Sequence, residues 1–254
     1  MNVVVLVKSI SDPNGDITLG EDFLVQRDAD GTLDPGDEYA IEAALQLSEA
    51  TPGEVTAVSM GPSGASAAVR RALSMGVHRA VLVTDDALRG ADALVTARVL
   101  AATVRRSPFD LILAGVESTD GYTGTVPMTV AELLDLPGAT FARRLEVADG
   151  MARIERQTEA GYDIVECSLP AVVTLTAGAT EPRYPTLKGI MQAKSKPMET
   201  LSLGDLGLGN DDLVARQHVV SVEPAAEKTG GEVLQAGPDT AGRIADFLAD
   251  AKVI

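Results

Sequence analysis

The chain has 254 residues, of which 21 are basic and 37 acidic, so its formal charge is −16 at pH 7. This length can bury a sizeable core, and the negative charge disfavours binding to nucleic acid or to anionic membranes. One cysteine and two histidines exclude a disulfide framework, a cysteine-ligated iron–sulfur centre and a histidine-rich metal site. No apolar run is long enough for a transmembrane helix, and we expect a cytoplasmic protein that is not itself a membrane protein.

The first half of the chain alternates short apolar runs with stretches of helical periodicity. Val3–Val7, Val55–Ser59, Ala80–Thr84 and Leu111–Ala114 are hydrophobic almost throughout, which is typical of strands buried on both faces of a parallel sheet. Between these runs the apolar residues recur at helical spacing, as in a predicted helix over residues 91–106. Repeated strand–helix alternation predicts an α/β fold with a doubly wound, mainly parallel sheet.

The pattern changes from about Ala139 onward. Three strand-like runs separated by turns, Arg143–Val147, Ala152–Arg156 and Asp163–Cys167, predict an antiparallel extension at the edge of the sheet. A further apolar run, Ala171–Leu175, predicts one more strand after this meander.

The last part of the chain reads as an extended arm. Residues 201–237 are rich in glycine and aspartate, with a short strand predicted at His218–Val222. A helix is predicted to begin near Thr240, and its apolar stripe needs a surface on the same domain or on a partner. The chain is therefore divided into an α/β domain over residues 1–200 and a C-terminal arm and helix over residues 201–254.

Ligands bind open α/β sheets beyond the carboxyl ends of the strands, so the residues that follow each strand are candidate binding residues. Lys8–Asp12, Ser59–Gly64 and Gly115–Thr125 follow three of the predicted strands. Thr123–Thr125 is the best candidate phosphate site, because its glycine, hydroxyls and following helix can all face an anion. Neither Ser59–Gly64 nor Gly115–Thr125 matches the dinucleotide-binding or Walker pattern, so an ordinary NAD or ATP-hydrolysing site is not predicted.

No arrangement of side chains predicts catalysis. Cys167 lies in an apolar strand without basic neighbours in sequence, and a buried, inert thiol is the favoured interpretation. His78 and His218 lie at a turn and at the start of a predicted strand, where structural roles are favoured. We therefore predict that the chain is not an enzyme.

Residues 180–196 carry four basic side chains and one acidic side chain, a local charge of +3. Pro185 can begin a short helix on which Leu187, Ile190 and Met191 form one apolar face. An adaptable leucine–methionine face ringed by lysine suits recognition of another protein. A core-facing helix with a solvated basic rim is equally compatible with the pattern.

The 180–196 segment resembles the recognition loop of the electron transfer flavoprotein beta-subunit family. The residues that carry the likeness, and that the resemblance implies for partner recognition, are Glu181, Pro182, Arg183, Tyr184, Leu187, Ile190 and Met191. The stretch from Arg156 to Thr174 resembles the family's other signature, and further matches run in the family's order from residue 1 to about residue 208. Leu187 would be the anchor that inserts into a partner.

The resemblance implies an adenine nucleotide alpha hydrolase-like fold and a heterodimer in which the 201–254 arm docks on an alpha subunit. The alpha subunit would hold most of the FAD site, while this chain would bind an AMP with a structural role. Electrons would pass from acyl-CoA dehydrogenases and related flavoenzymes to the FAD, and then to the electron transfer flavoprotein-quinone oxidoreductase. The implied AMP site consists of Leu6, Val7, Asp34, Pro35, Gly36, Asp37, Met60, Gly115, Val116, Glu117, Ser118, Thr119, Asp120, Gly121, Tyr122, Thr123, Gly124 and Thr125.

The sequence departs from the family pattern at Asp34, where relatives often have asparagine, and at Thr125, where they often have glutamine. Some members bind a second FAD in place of AMP and bifurcate electrons, and this alternative stays open. Two other classes of protein stay open as well. One is an adenylating enzyme of the same α/β group, although Gly61–Gly64 is only a faint match to its phosphate loop, and the other is a stand-alone nucleotide-binding regulator.

Overall fold

The computed structural model describes residues 1–15, 17–26, 31–223 and 231–254. Contacts divide the chain into two units, Met1–Val219 and Val220–Ile254. The strands are β1 (Val3–Leu6), β2 (Ser9–Ile10), β3 (Thr32–Leu33), β4 (Val55–Met60), β5 (Arg79–Val83), β6 (Leu111–Gly115), β7 (Gly138–Ala148), β8 (Met151–Thr158), β9 (Gly161–Ser168), β10 (Ala171–Leu175) and β11 (Met198–Leu201). The helices are α1 (Pro35–Ala50), α2 (Ser66–Met75), α3 (Ala93–Val104), α4 (Val126–Leu134), α5 (Leu187–Ala193) and α6 (Thr240–Asp250).

The first unit is built on a nine-stranded sheet in the order β11-β5-β4-β1-β6-β10-β7-β8-β9. All strand pairs from β11 to β7 are parallel, and β7-β8 and β8-β9 are antiparallel. The short strands β2 and β3 form a separate antiparallel pair. The predicted doubly wound, mainly parallel sheet with an antiparallel extension is therefore confirmed.

Helices cover both faces of the parallel strands, which explains why those strands are apolar throughout. Val3 and Val5 of β1 face a core shared with α1 and α2, and Val4 and Leu6 face a second core shared with α3 and α4. In β6, Ile112 is completely buried in the second core. Both layers thus hold β1 and β6 firmly, so the loops that leave these strands start from fixed points.

The chain direction reverses next to β1. From β1 the chain runs outward through β4 to β5, and then returns to place β6 on the other side of β1. The loops that leave β1 and β6 therefore diverge, and ligands bind in such a crevice at the carboxyl ends of the strands. This topology puts the start of α1 and the loop after β6 at the same edge of the sheet.

The antiparallel extension begins within one long strand. The first part of β7 pairs in parallel with β10, and from Ala142 onward β7 pairs with β8 in the opposite sense. The register shifts between Ala142 and Arg144, next to Phe141, which has a positive φ of 58°. This local irregularity bends the strand where its partner changes.

The structure differs from the predictions at two places: one predicted strand is absent, and one strand is present that was not predicted. The strand predicted at His218–Val222 is wrong, because the structure has no strand there and leaves Val219 and Val220 exposed. An unpredicted strand, β11, pairs instead with β5 at the sheet edge. Only Leu201 of β11 is buried, so its sequence lacks the continuous apolar run that marks the central strands.

The second unit contains α6, which begins at Thr240 as predicted. Ile244 of its predicted apolar stripe is exposed, and so is the neighbouring Phe247. Residues 224–230 of the predicted arm lie outside the described residues. Among the helices in the described ranges, none is both long and apolar enough to cross a membrane.

Candidate functional site

Asp34 connects the start of α1 to the loop after β6. Its fully buried carboxylate accepts a hydrogen bond from the Gly36 backbone N–H at 2.8 Å on Oδ1. On Oδ2 it accepts hydrogen bonds from the backbone N–H and the hydroxyl of Thr119, at 2.7 and 3.0 Å. Asp34 is thus the N-cap of α1 and also a tether for the loop that spans residues 115–125.

Asp37 lies one helical turn further and is also buried. Its Oδ2 accepts a hydrogen bond from the Lys8 backbone N–H at 2.7 Å, immediately after β1. Burial and the neighbouring charge of Asp34 raise the pKa of Asp37 well above its ordinary value, although backbone hydrogen bonds from Lys8 and Gly115 oppose the rise. The crevice therefore has two buried carboxyl groups whose oxygens face backbone donors.

Lys8 forms a third connection across the crevice. Its Nζ lies 2.6 Å from Oδ1 of Asp120, which is only 4% exposed, and 3.0 Å from the hydroxyl of Ser118. This ion pair joins the end of β1 to the loop after β6. Because Lys8 is paired with a carboxylate, an anionic ligand would be held mainly by hydroxyls and backbone amides.

Glycines let the same loop lie close to its neighbours. A Cβ at Gly115 would lie 3.0 Å from Oδ1 of Asp37, and a Cβ at Gly121 would lie 3.4 Å from Nζ of Lys8. Gly124 has a positive φ of 62°, which glycine adopts without strain. Tyr122 has a φ of 48° and an exposed side chain, so backbone strain is concentrated at the outer part of the loop.

The candidate nucleotide residues thus form a hydrogen-bonded inner part and an exposed outer part. Asp34, Gly36, Asp37, Gly115, Ser118, Thr119 and Asp120 belong to the inner part, and Pro35 at the first turn of α1 is exposed. Glu117, Gly121, Tyr122, Thr123 and Thr125 are exposed, and Val116 and Gly124 are half-buried. Leu6 and Val7 are buried at the end of β1, and Met60 is half-buried at the end of β4.

Polar atoms without partners lie at the same edge of the sheet. Ser59 at the end of β4 is fully buried, and its hydroxyl has no hydrogen-bond partner among the described residues. The hydroxyl of Ser11, just after β2, has none either. Buried hydroxyls normally have a hydrogen-bond partner, and these two are exceptions among the described residues. The carboxylate of Glu117, which lies near Gly124, would have to turn away from a phosphate at that point.

The helix predicted within the 180–196 segment is present as α5. It begins at Leu187, two residues after Pro185, and the Thr186 hydroxyl caps it by accepting a hydrogen bond from the Gly189 N–H at 3.0 Å. Leu187 is 76% exposed and Met191 is 67% exposed. The core-facing alternative for this apolar face is therefore wrong.

Arg183 holds the start of the 180–196 segment against α1. Its guanidinium binds both carboxylate oxygens of Glu42, at 2.7 and 3.0 Å, and both oxygens of Glu49, at 2.6 and 3.2 Å. Burial pushes the pKa of Glu42 upward, but hydrogen bonds from Arg183 and Gln46 outweigh it, so this pKa lies below its ordinary value. Arg183 is thus paired with two acids, and the positive charge that the segment presents rests on its lysines.

Sequence reasoning missed several residues that the structure brings into these sites. Lys8 was identified only as following a strand, while Glu42 and Glu49 were not identified at all. Glu42 and Glu49 are seven residues apart and share one face of α1, but nothing in the sequence pairs them with a residue more than 130 positions away. The structural role predicted for His78 is consistent with the geometry, since its Nδ1 accepts a hydrogen bond from the Val55 N–H at 3.0 Å.

Cys167 is half-buried, and burial raises the pKa of its thiol, which favours the unreactive protonated form. Within the ranges that the structure describes, no group of three or more His, Cys, Asp or Glu side chains is arranged to hold a metal ion.

The fold and the crevice define a doubly wound α/β protein with a candidate ligand site at the switch point of the sheet. The electron transfer flavoprotein domain family matches residues 22–206. Beta subunits of electron transfer flavoproteins from Mycobacterium bovis and Bacillus subtilis are 37% and 38% identical over 264 and 257 residues, covering 100% of this chain and 99% and 100% of the relatives. The Caffeyl-CoA reductase-Etf complex subunit CarD of Acetobacterium woodii is 32% identical over 263 residues, covering 100% of both chains. This chain belongs to the electron transfer flavoprotein beta-subunit family.

Proposed function

We propose that this chain pairs with an alpha subunit to form a heterodimeric electron transfer flavoprotein that has no catalytic residues in this subunit. The full-length similarity to beta subunits carries this proposal. It accounts for a candidate ligand crevice at the switch point of the sheet. The FAD of the alpha subunit would supply the redox chemistry, and residues 201–254 would form the arm that docks on that subunit.

The crevice between β1 and β6 is proposed to bind AMP in a structural role. Asp34, Asp37 and Lys8 keep the loop after β6 close to α1, and the Thr123–Thr125 hydroxyls and amides would hold the phosphate. A nucleotide here would join two loops of the same subunit, which fits a structural role.

A second candidate is a bifurcating flavoprotein with FAD in place of AMP. The similarity to a subunit of the Caffeyl-CoA reductase-Etf complex is the observation in its favour. AMP remains the preferred ligand, because Glu117 borders the phosphate position and Lys8 is already paired, so few groups are left to bind a second phosphate.

The exposed apolar face of the 180–196 segment is proposed to bind the electron-donating acyl-CoA dehydrogenases. Leu187 and Met191 project into solvent on a short capped helix, and Ile190 and Tyr184 extend the same exposed surface. Large exposed apolar side chains with a polar rim are typical of protein-binding sites. Electrons would then pass from the FAD to a quinone oxidoreductase.

Replacing Leu187 by alanine is expected to slow FAD reduction by an acyl-CoA dehydrogenase by about 10-fold or more, as for loss of a central interface side chain worth about 2 kcal/mol. The Leu187 side chain is mostly exposed, so the FAD content and the thermal unfolding midpoint should not change. Stopped-flow reduction of the purified complex measures the rate.

Leu187→Met is the matched control, since it keeps an apolar side chain of similar volume and should retain most of the rate. If Leu187→Ala reduces as fast as the unmodified complex, the 180–196 segment does not recognise this donor.

A further inference from the structure

The backbone beneath the exposed apolar face of the 180–196 segment is attached to the domain at both ends. At the beginning, the Thr180 hydroxyl donates to the carbonyl oxygen of Tyr39 at 3.0 Å, close to the Arg183 contacts with α1. At the end, Nζ of Lys196 donates to the carbonyl oxygens of Leu73 and Val77, at 2.9 and 2.7 Å. These carbonyls belong to the end of α2 and to the residue just after its Gly76 cap.

The middle of the segment is packed directly on α2. A Cβ at Gly189 would overlap the carbonyl oxygen of Ser74, so the backbone of α5 lies against the end of α2 with no space for a side chain. Ala193 is buried in the core that α1 and α2 share with the sheet. One side of α5 is therefore fixed, while Leu187 and Met191 on the other side remain exposed.

Lys196 binds the domain through its ammonium group, unlike a lysine in a solvated basic rim. Its stem is half-buried and its ammonium group is directed at the carbonyl end of α2, where the helix dipole favours a cation. It comes three residues after Ala193, the last residue of α5. A cation at this point thus closes the segment onto α2 at the position where the chain leaves the helix.

We propose that Lys196 and Arg183 are positioning residues that order the apolar face before a partner protein binds. An apolar surface that is already ordered binds more tightly than a flexible one, because each side chain immobilised on binding costs affinity. The inference rests on the proposed role of the 180–196 segment in partner binding. Under this proposal, Lys196 and Arg183 contribute measurably to the affinity for the partner without having to touch it.

The test compares Lys196→Met with Arg70→Met in the purified complex with its alpha subunit. Both variants remove one positive charge, but the exposed Arg70 on α2 makes none of these contacts. Rates of FAD reduction are measured with an acyl-CoA dehydrogenase at increasing concentrations of the complex. Hydrogen exchange of residues 184–194 is followed by mass spectrometry in the same preparations.

Lys196→Met is expected to raise the KM for the complex by about 2- to 12-fold with an unchanged limiting rate, the range for one side chain that must be ordered on binding. Amide exchange in residues 184–194 should become faster, and Arg70→Met should change neither quantity. Lys196→Arg should restore both, since a guanidinium can also bind the α2 carbonyls.

An unchanged KM in Lys196→Met would overturn the positioning role if Leu187→Ala still slows the reaction in the same assay. If neither variant has an effect, the proposed partner-binding role of the segment is wrong instead. A lower limiting rate with an unchanged KM would also contradict positioning, because ordering of the free segment affects association and not the transfer step.

Discussion

Replacing Arg183 by methionine is expected to lower the free energy of unfolding by about 2–4 kcal/mol at pH 7. Glu42 is only 5% exposed and would keep its charge without the guanidinium that binds both of its oxygens. Removing one partner of a buried ion pair commonly costs about 3–5 kcal/mol, and the lower figure allows for Arg183 being 34% exposed. Urea unfolding of the purified protein measures the change.

This loss should depend on pH with a definite sign. The folded-state pKa of Glu42 lies below its ordinary value of 4.5, so the stability that the pair contributes is complete above that value and is lost as the pH falls through the lower pKa. The difference between Arg183→Met and the unmodified protein should therefore shrink when the same unfolding experiment is repeated at progressively lower pH.

The double variant Arg183→Met, Glu42→Leu is the control for the buried charge. Replacing both partners with apolar side chains removes the unpaired carboxylate, so most of the lost stability should return. A single variant that unfolds at the same urea concentration as the unmodified protein would show that the contact contributes little. A double variant no more stable than Arg183→Met would show that the buried charge is not the cause.

Replacing Asp34 by alanine is expected to reduce the AMP bound per complex at least 10-fold and to lower the free energy of unfolding by about 2–4 kcal/mol. The variant loses three hydrogen bonds to a buried carboxylate and leaves the Thr119 backbone N–H without its acceptor. The loop after β6 would then lose its tether to α1. Nucleotide extraction followed by chromatography, together with thermal unfolding, measures both effects.

Asp34→Asn is the matched control, and it should have a smaller effect. The two oxygens of Asp34 face donors from Gly36 and Thr119, while asparagine offers one oxygen and one amide group. One backbone N–H therefore keeps its acceptor and the other loses it. Full AMP content in Asp34→Ala would show that the crevice does not hold the nucleotide through this tether.

The sequence predicted those parts of the fold whose residues are buried on both sides. Val3–Leu6 and Leu111–Gly115 are continuous apolar runs because helices cover both faces of the sheet, and such runs read clearly as central strands. The edge strand β11 lacks such a continuous apolar run. Met198–Leu201 contains exposed Glu199 and Thr200, and the valines near residue 220 mimic a strand without having a partner strand.

The sequence indicated which loops form the candidate site, but it did not indicate which side chains join those loops. The strand exit and the glycines identified the loop at Gly115, since these features depend on local sequence, whereas the turn at Asp34 was implied only by the family resemblance. The Lys8–Asp120 pair joins residues 112 positions apart, and the Arg183–Glu42 pair joins residues 141 positions apart. Such pairings depend on how the helices and loops pack in three dimensions, which no local pattern in one sequence contains.

The most direct test of the proposed function is the nucleotide content of the complex formed by this chain and its alpha subunit. The purified complex is denatured, and the released nucleotides are identified and quantified by mass spectrometry. The account predicts one AMP and one FAD per heterodimer, with AMP lost selectively in Asp34→Ala. Two FAD molecules per heterodimer and no AMP would contradict it and would favour a bifurcating flavoprotein.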